Sequence, residues 1–459
     1  MIRDRLCLAA IVALGLALRI AGAQGGLWLD EAWSVELARE AGNPLAIFLS
    51  LNHDNNHHLN TLWLQMVGRD ATPMLARALA IVTGSAAIWV AGLIGARRGR
   101  ITGLVTALIF AISPVLVTLG SEARGYAPMS LALLTSVLLV DRMLAGDGRW
   151  QVRLGLALSF ALGALSQLTM IFGVCAIGGW VFLTLWQRGG FAAALTGTAR
   201  MLGPALATLA VVLGGLAAAA LTNTAGFRFG GYEPFTILLF LHGIIEMLGF
   251  AVGIAWNDVW PLVIVAALVV LAPSLGASRT VFYRLAIIAF PLTLALLHWG
   301  NVGHPRYYLV AGLALLLMLA EMIGTAIAAG GWKRWVAATV LAVLSVASLI
   351  HDADLIYNKR GDPAAAIRVL AARSPEGATV LMERSTGRAM LALAAEQAHY
   401  PLTIVYPTCP AARFIFADRF RGESFPPTMT RCGVQYSPIA QLLAHGLSGT
   451  HWTLYERRR

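Results

Sequence analysis

Long apolar runs separated by short polar stretches fill the first three quarters of the chain. Each is close to the roughly 20 residues that a helix needs to cross a bilayer, where the helix satisfies its own backbone. The pattern predicts spans at 6–23, 77–95, 101–119, 126–144, 154–170, 171–187, 201–221, 259–276, 282–298, 308–329 and 335–350. A further apolar stretch, 235–256, would reverse every later loop if it crossed. His242 and Glu246 share one face there, which suits a helix lying at the outer surface. After "SLIHDADLIYNKRGDP" the runs shorten and alternate. Helices are expected in "DPAAAIRVLAAR", "RAMLALAAEQA" and "SPIAQLLAHGL", and strands in "ATVLME", "LTIVYP" and "HWTLYE". The expected architecture is a polytopic α-helical membrane domain over 1–350, with about eleven spans and an outer first loop over 24–76. A small extracytoplasmic α/β domain follows over 351–459.

Composition sharpens this picture. Hydrophobic residues make up 58% of the chain and charged residues 12%, against about 25% charged in soluble domains; mean hydropathy is +0.71. A soluble globular class is excluded. Arg3 and Arg5 precede the first run, but "RIAGAQGG" is a poor cleavage site and more spans follow, so the run reads as a retained span. The net charge of +11 mostly records topology. With the N-terminus in the cytoplasm, fourteen of the 34 basic residues fall in inside loops, against seven at outer ends and loops before residue 351. An inner or plasma membrane protein without a nucleic-acid role is expected. Cys7 and Cys175 read as buried thiols within spans. Cys409 and Cys432 are a disulfide candidate in an oxidising compartment, two separate thiols being the alternative.

Four polar stretches then concentrate at outer ends: "LDEAWS", "NHDNNHHLN", "SEARGYA" and "HWGNVGHPRYY". Asp30 is placed to act as a general base toward an attacking hydroxyl, or to cap a helix beginning at Glu31. Glu31 points elsewhere, because neighbours on a helix sit about 100° apart, and suits orientation or binding. His53 and His57, like Asp54 and His58, are four residues apart. On a helix each pair would share a face, as metal ligands often do, although Asn55 and Asn56 favour a loop. Metal ligation, substrate or phosphate contact, and a plain polar loop all stay open for these four. Arg124 and Arg306 suit an anion, with lipid headgroups as the alternative. Glu122 could pair with Arg124 or contact a sugar. Tyr126, Tyr307 and Tyr308 could donate hydroxyls or form an interfacial belt, and Trp28 and Trp33 read as interfacial anchors.

Together, an early Asp-Glu pair, a His-rich segment near the second span and "EARGY" after the third resemble the GT-C membrane glycosyltransferases. The resemblance is to the protein O-mannosyltransferase and lipid A aminoarabinose transferase branch. It covers the spans to about residue 310, including "HPRYY", and the C-terminal region resembles the small outer domain of such proteins. Many relatives carry "HPPL" where this chain has "HHLNTLW", so Asn60 replaces a stiff proline pair. The resemblance implies a transferase with a polyprenyl-phosphate-linked sugar as donor and a glycan, lipid or protein as acceptor. It implies Asp30 as base and Arg124 and Arg306 near the lipid phosphate, with the histidines or a divalent metal ion assisting. No Walker or GxGxxG signature stands in suitable context, in keeping with a donor that is not a soluble nucleotide sugar. The rival reading is a lipid-linked-sugar flippase or transporter without transfer chemistry. It would place ionisable residues within the spans rather than at one face.

Overall fold

Proline, glycine and short polar caps set the helix boundaries in the computed structural model, which describes residues 2–68, 70–223, 231–255, 258–271, 277–406, 412–420 and 422–458. Helix α1 (Ile2–Gly22) leads into α2 (Leu29–Ala41), α3 (Pro44–Leu49) and α4 (His58–Val67), so the region expected as an outer loop is largely helical. The Thr72 hydroxyl accepts from Leu75 N and caps α5 (Pro73–Ala96). Helices α6 (Arg100–Ile112) and α7 (Pro114–Leu119) are separated at Pro114, which cannot continue the hydrogen-bond ladder. There the Ser113 hydroxyl donates to Ala251 O at 2.7 Å. Next come α8 (Tyr126–Leu144), α9 (Trp150–Ser166) and α10 (Met170–Thr222). Helix α10 bends at Gly190, whose φ of 82° lies in the left-handed region. After α11 (Ile237–Val252) and α12 (Trp260–Leu271), α13 (Ala277–Arg284) runs through a π turn into α14 (Phe290–Leu296). A 3₁₀ turn, Pro305–Tyr308, opens α15 (Leu309–Ala329), and α16 (Gly331–Asn358) follows.

Seven helices among the described residues are long and apolar enough to cross a membrane, and the chain is an integral membrane protein. Met170–Thr222 is one of them, and its bend falls between the expected segments 171–187 and 201–221. Three other expected spans lie on shorter helices. The segment 101–119 is split at Pro114, 154–170 falls largely on the 17-residue α9, and 259–276 on the 12-residue α12, with 272–276 outside the described residues. Helices α1, α5, α6, α8 and α15 pack against one another, with Phe110, Val310, Leu315 and Met318 fully buried. At the end far from the C-terminal sheet, Arg279 donates to Asp141 and pairs with Glu321, tying α8, α13 and α15 together.

The sheet comprises β1 (Ala378–Met382), β2 (Leu402–Val405), β3 (Phe414–Arg419), β4 (Met429–Arg431), β5 (Val434–Leu442) and β6 (His451–Arg457). Their order is β2-β1-β3-β6-β5-β4. Strand β1 is parallel to β2 and β3, and the remaining pairs are antiparallel. One expectation is corrected here: "SPIAQLLAHGL" is not a helix, and its first half belongs to β5. Its spacing of apolar residues fits a helix locally, but β6 offers a long pairing edge. Pro438, which has no N–H to donate, is accommodated at an irregularity between Pro438 and Ala440. Cys409 lies outside the described residues, so its expected pairing with Cys432 is not described.

Helices α17 (Pro363–Arg373) and α18 (Arg388–Gln397) cover one face of the sheet, and α2 joins them. Leu27, Ala32 and Val35 share a single core with Ile367, Met390 and Phe416. Trp28 and Trp33 are therefore not interfacial anchors. Trp28 is buried, and Trp33 donates its indole N–H to Thr386 O at 3.2 Å. The sheet unit thus holds the helix that carries the Asp-Glu pair.

Candidate functional site

The two adjacent acids part company on α2. Glu31 sits three residues after the N-cap Trp28 and accepts the Trp28 backbone N–H at 3.1 Å, so Glu31, rather than Asp30, ties off the helix start. Its carboxylate also accepts Arg77 Nε at 2.8 Å, Arg77 Nη2 at 2.6 Å and Ala123 N at 2.7 Å. Glu31 and Arg77 are both fully buried. Burial alone would raise the Glu31 carboxyl, but the Arg77 charge and hydrogen bonds outweigh it and hold it below its ordinary value. Arg77 completes its own shell on Ala23 O, Gly25 O and Gly26 O. Its only sequence signal was an arginine at the mouth of an apolar run.

Asp30, a rotation of about 100° away, keeps a side chain that is 21% exposed. Both Arg124 Nη1 and Arg306 Nη1 reach the same oxygen, Asp30 Oδ2. Burial would raise this carboxyl, but the two guanidiniums outweigh it and hold it well below the usual carboxylate range. The backbone beneath is braced by Ser34 Oγ and Asn55 Nδ2, which donate to Asp30 O at 2.9 and 3.1 Å.

Arg124 is held on three sides. Besides Asp30, its Nε donates to His57 Nε2 at 3.1 Å, and its guanidinium lies 5.4 Å from the centre of the Tyr126 ring, with Nη2 3.5 Å from that hydroxyl. The peptide before it is clamped too. Ala123 N donates to Glu31, and Ala123 O accepts Asn60 Nδ2 at 2.7 Å. Asn60, the departure from the proline pair, thus supplies a donor that proline lacks. Gly125 is required by space. A Cβ there would overlap the Ser166 carbonyl oxygen and lie 2.8 Å from the Ser166 carbonyl carbon and 3.0 Å from His57 Cβ. Gly125→Ala is expected to destabilise the fold by about 1–3 kcal/mol and to lower activity as Arg124 shifts. Thermal unfolding in detergent, alongside turnover, checks this.

The other expected residues distribute as follows. His53 and His57 do not share a helix face, because 53–57 is not helical and α4 begins at His58. His53 Nδ1 lies 2.8 Å from Asp54 Oδ1, and both residues are partly exposed. His58 stacks on Phe48 with ring centres 5.5 Å apart, and burial pulls its pKa down to about 4. Glu122 is fully buried, and its nearest cation is Arg360, whose Nε lies 3.6 Å from Glu122 Oε1. Burial raises its carboxyl, with Arg360 opposing. Arg360 also donates to Gly22 O, Thr118 O and Ser121 Oγ, riveting the sheet-side junction to α1 and α7. Tyr126 is buried beside His57 and Tyr308 is buried with its hydroxyl on Val302 O, so neither forms an interfacial belt. Tyr307 is partly buried against His304. Asp30, His57, Arg124, Tyr126 and Arg306 thus come together, while His53, Asp54, His58 and Glu122 pair elsewhere. Among the described residues no three His, Cys, Asp or Glu side chains form a cluster that could hold a metal ion. Asp30 is flanked by two cations, a donor set that does not fit a divalent ion.

No family model matches the chain, and no curated protein matches it. Two crystal structures of ArnT from Cupriavidus metallidurans are similar in shape, each over 97% of this chain and 97% of theirs with a TM-score of 0.54. One, at 13% identity, is bound to undecaprenyl phosphate, and the other, at 12%, is in the apo state. An Archaeoglobus fulgidus oligosaccharyltransferase aligns at 14% identity and a TM-score of 0.49, over 90% of this chain and 68% of its own. The match spans nearly the whole of both chains, and the chain has the fold of ArnT.

Proposed function

We propose that the protein is a membrane glycosyltransferase that moves a sugar from a polyprenyl-phosphate donor to an acceptor hydroxyl, with Asp30 as general base, at the outer face of the membrane. The observation that carries this reading is the convergence of Arg124 and Arg306 on one oxygen of Asp30. The two cations suit a phosphate, and the carboxylate between them suits a base beside it. The ArnT fold, solved with undecaprenyl phosphate bound, supports a lipid-phosphate partner.

The step follows from these groups. The acceptor oxygen attacks the anomeric carbon and its proton passes to Asp30. The bond from that carbon to the phosphate oxygen breaks, and the electron pair leaves with polyprenyl phosphate. Arg124 and Arg306 stabilise the charge that builds there. Before donor binds, Asp30 pairs with both arginines and leaves a net positive charge; the donor phosphate then shares them, and the carboxylate regains basicity.

Protein reconstituted in sealed lipid vesicles with a panel of polyprenyl-phosphate sugars, and with lipid, glycan and protein acceptors, tests the reading. Release of polyprenyl phosphate together with glycosylated acceptor is expected. Movement of intact lipid across vesicles without release would instead establish a flippase. Arg306→Ala is expected to raise the donor KM roughly 10- to 100-fold, the worth of a charge-assisted hydrogen bond. Saturation kinetics in donor reads this directly.

A further inference from the structure

His57 carries hydrogen bonds on both ring nitrogens. Arginine can only donate, so His57 Nε2 must be the acceptor for Arg124 Nε at 3.1 Å. The proton is then on Nδ1, which lies 3.2 Å from Ser166 O. Ser166 is the last residue of α9, where helix carbonyls lack intrahelical partners, so this acceptor is in place for structural reasons. His57 is 2% exposed, and its ring meets Tyr126 edge-on with centres 5.3 Å apart. A neutral imidazole in one tautomer therefore links the end of α9 to the guanidinium that faces Asp30.

We propose that His57 is a positioning residue that aims Arg124 at the donor phosphate and does not itself touch substrate. Both nitrogens are engaged within the protein, so the ring offers a phosphate no donor. A protonated ring could not accept from Arg124 at all, so this one of the three holds on Arg124 exists only while His57 is neutral. This inference rests on the reading of Arg124 as a phosphate ligand.

The test measures binding of undecaprenyl phosphate, and kcat/KM, in the full-length protein. The set is wild type, Arg124→Ala, His57→Phe, His57→Gln and the double variant Arg124→Ala/His57→Phe. His57→Phe keeps the ring volume but no acceptor, and about tenfold weaker binding is expected. His57→Gln places an amide oxygen near the Nε2 position and is expected to recover most of that loss. The double variant should bind no more weakly than Arg124→Ala alone, because His57 acts through Arg124. Full additivity, or loss of binding in His57→Gln equal to that in His57→Phe, would overturn the positioning role. Arg124→Ala binding as tightly as wild type would instead remove the phosphate-ligand reading beneath it. Thermal unfolding of each variant, run alongside, separates a binding defect from a folding one.

Discussion

Asp30→Asn is expected to lower turnover by about 10²–10⁴-fold, the range a general base supplies, while binding polyprenyl phosphate more tightly than wild type. The two effects have opposite signs for one reason. Asp30 is both the proposed base and the anion that occupies Arg124 and Arg306 in the unliganded site. Removing its charge leaves both guanidiniums for the phosphate. The gain should be about tenfold or more, given roughly 1.5–3 kcal/mol for each hydrogen bond to a charged group. Turnover and equilibrium lipid binding on the same preparation check both. Weaker binding in Asp30→Asn would mean that the carboxylate positions the arginines rather than competing for them. Retained turnover would remove Asp30 as base. The same competition sets the pH behaviour. With both arginines on Asp30 its carboxyl lies well below the usual range, so kcat/KM, which reports the free enzyme, should hold on the acid side through that range. Once phosphate shares the arginines the carboxyl rises, so the acid limb of kcat should lie at higher pH than that of kcat/KM.

Glu31→Ala should give the largest loss of stability, about 3–5 kcal/mol, the cost of leaving one member of a buried ion pair uncompensated. Arg77 would be stranded among backbone carbonyls, and Trp28 N and Ala123 N would lose their acceptor. Glu31→Gln keeps an acceptor oxygen without the charge and should fall between. Because folding lowers the Glu31 carboxyl, its contribution is complete above the ordinary glutamate pKa and is lost as pH falls through the folded value. Stability that still declines with acid in Glu31→Gln exactly as in wild type would show that other groups set the acid side. Thermal unfolding in detergent across this pH window decides it.

Much of the site could be read along the chain. Asp30, Arg124 and Arg306 stand out because charge beside an apolar run needs a reason in a membrane protein. The support beneath them could not be read. Arg77 resembles any basic residue at a helix mouth, and Asn60 first reads as a departure from a motif. Only its bond to Ala123 O shows what it does. Arg360 lies beyond the apolar runs, and its role rests on Gly22, Thr118 and Ser121, more than two hundred residues away.

The division has a physical basis. Helices and their boundaries follow from local bonds and from the length of apolar runs, so most of the helical order is encoded in short windows of sequence. The split of α6 and α7 at Pro114 and the bend of α10 at Gly190 have equally local causes. Strand pairing, buried ion pairs and tautomers depend on partners distant in sequence. For that reason β5, which has a helical spacing of its own, becomes a strand once β6 lies beside it. For the same reason two neighbouring acids differ in role. Sequence placed Asp30 and Glu31 at the mouth of a span, and the packing of α2 against α4 and α18 turned Glu31 inward onto Arg77 and left Asp30 facing Arg124 and Arg306.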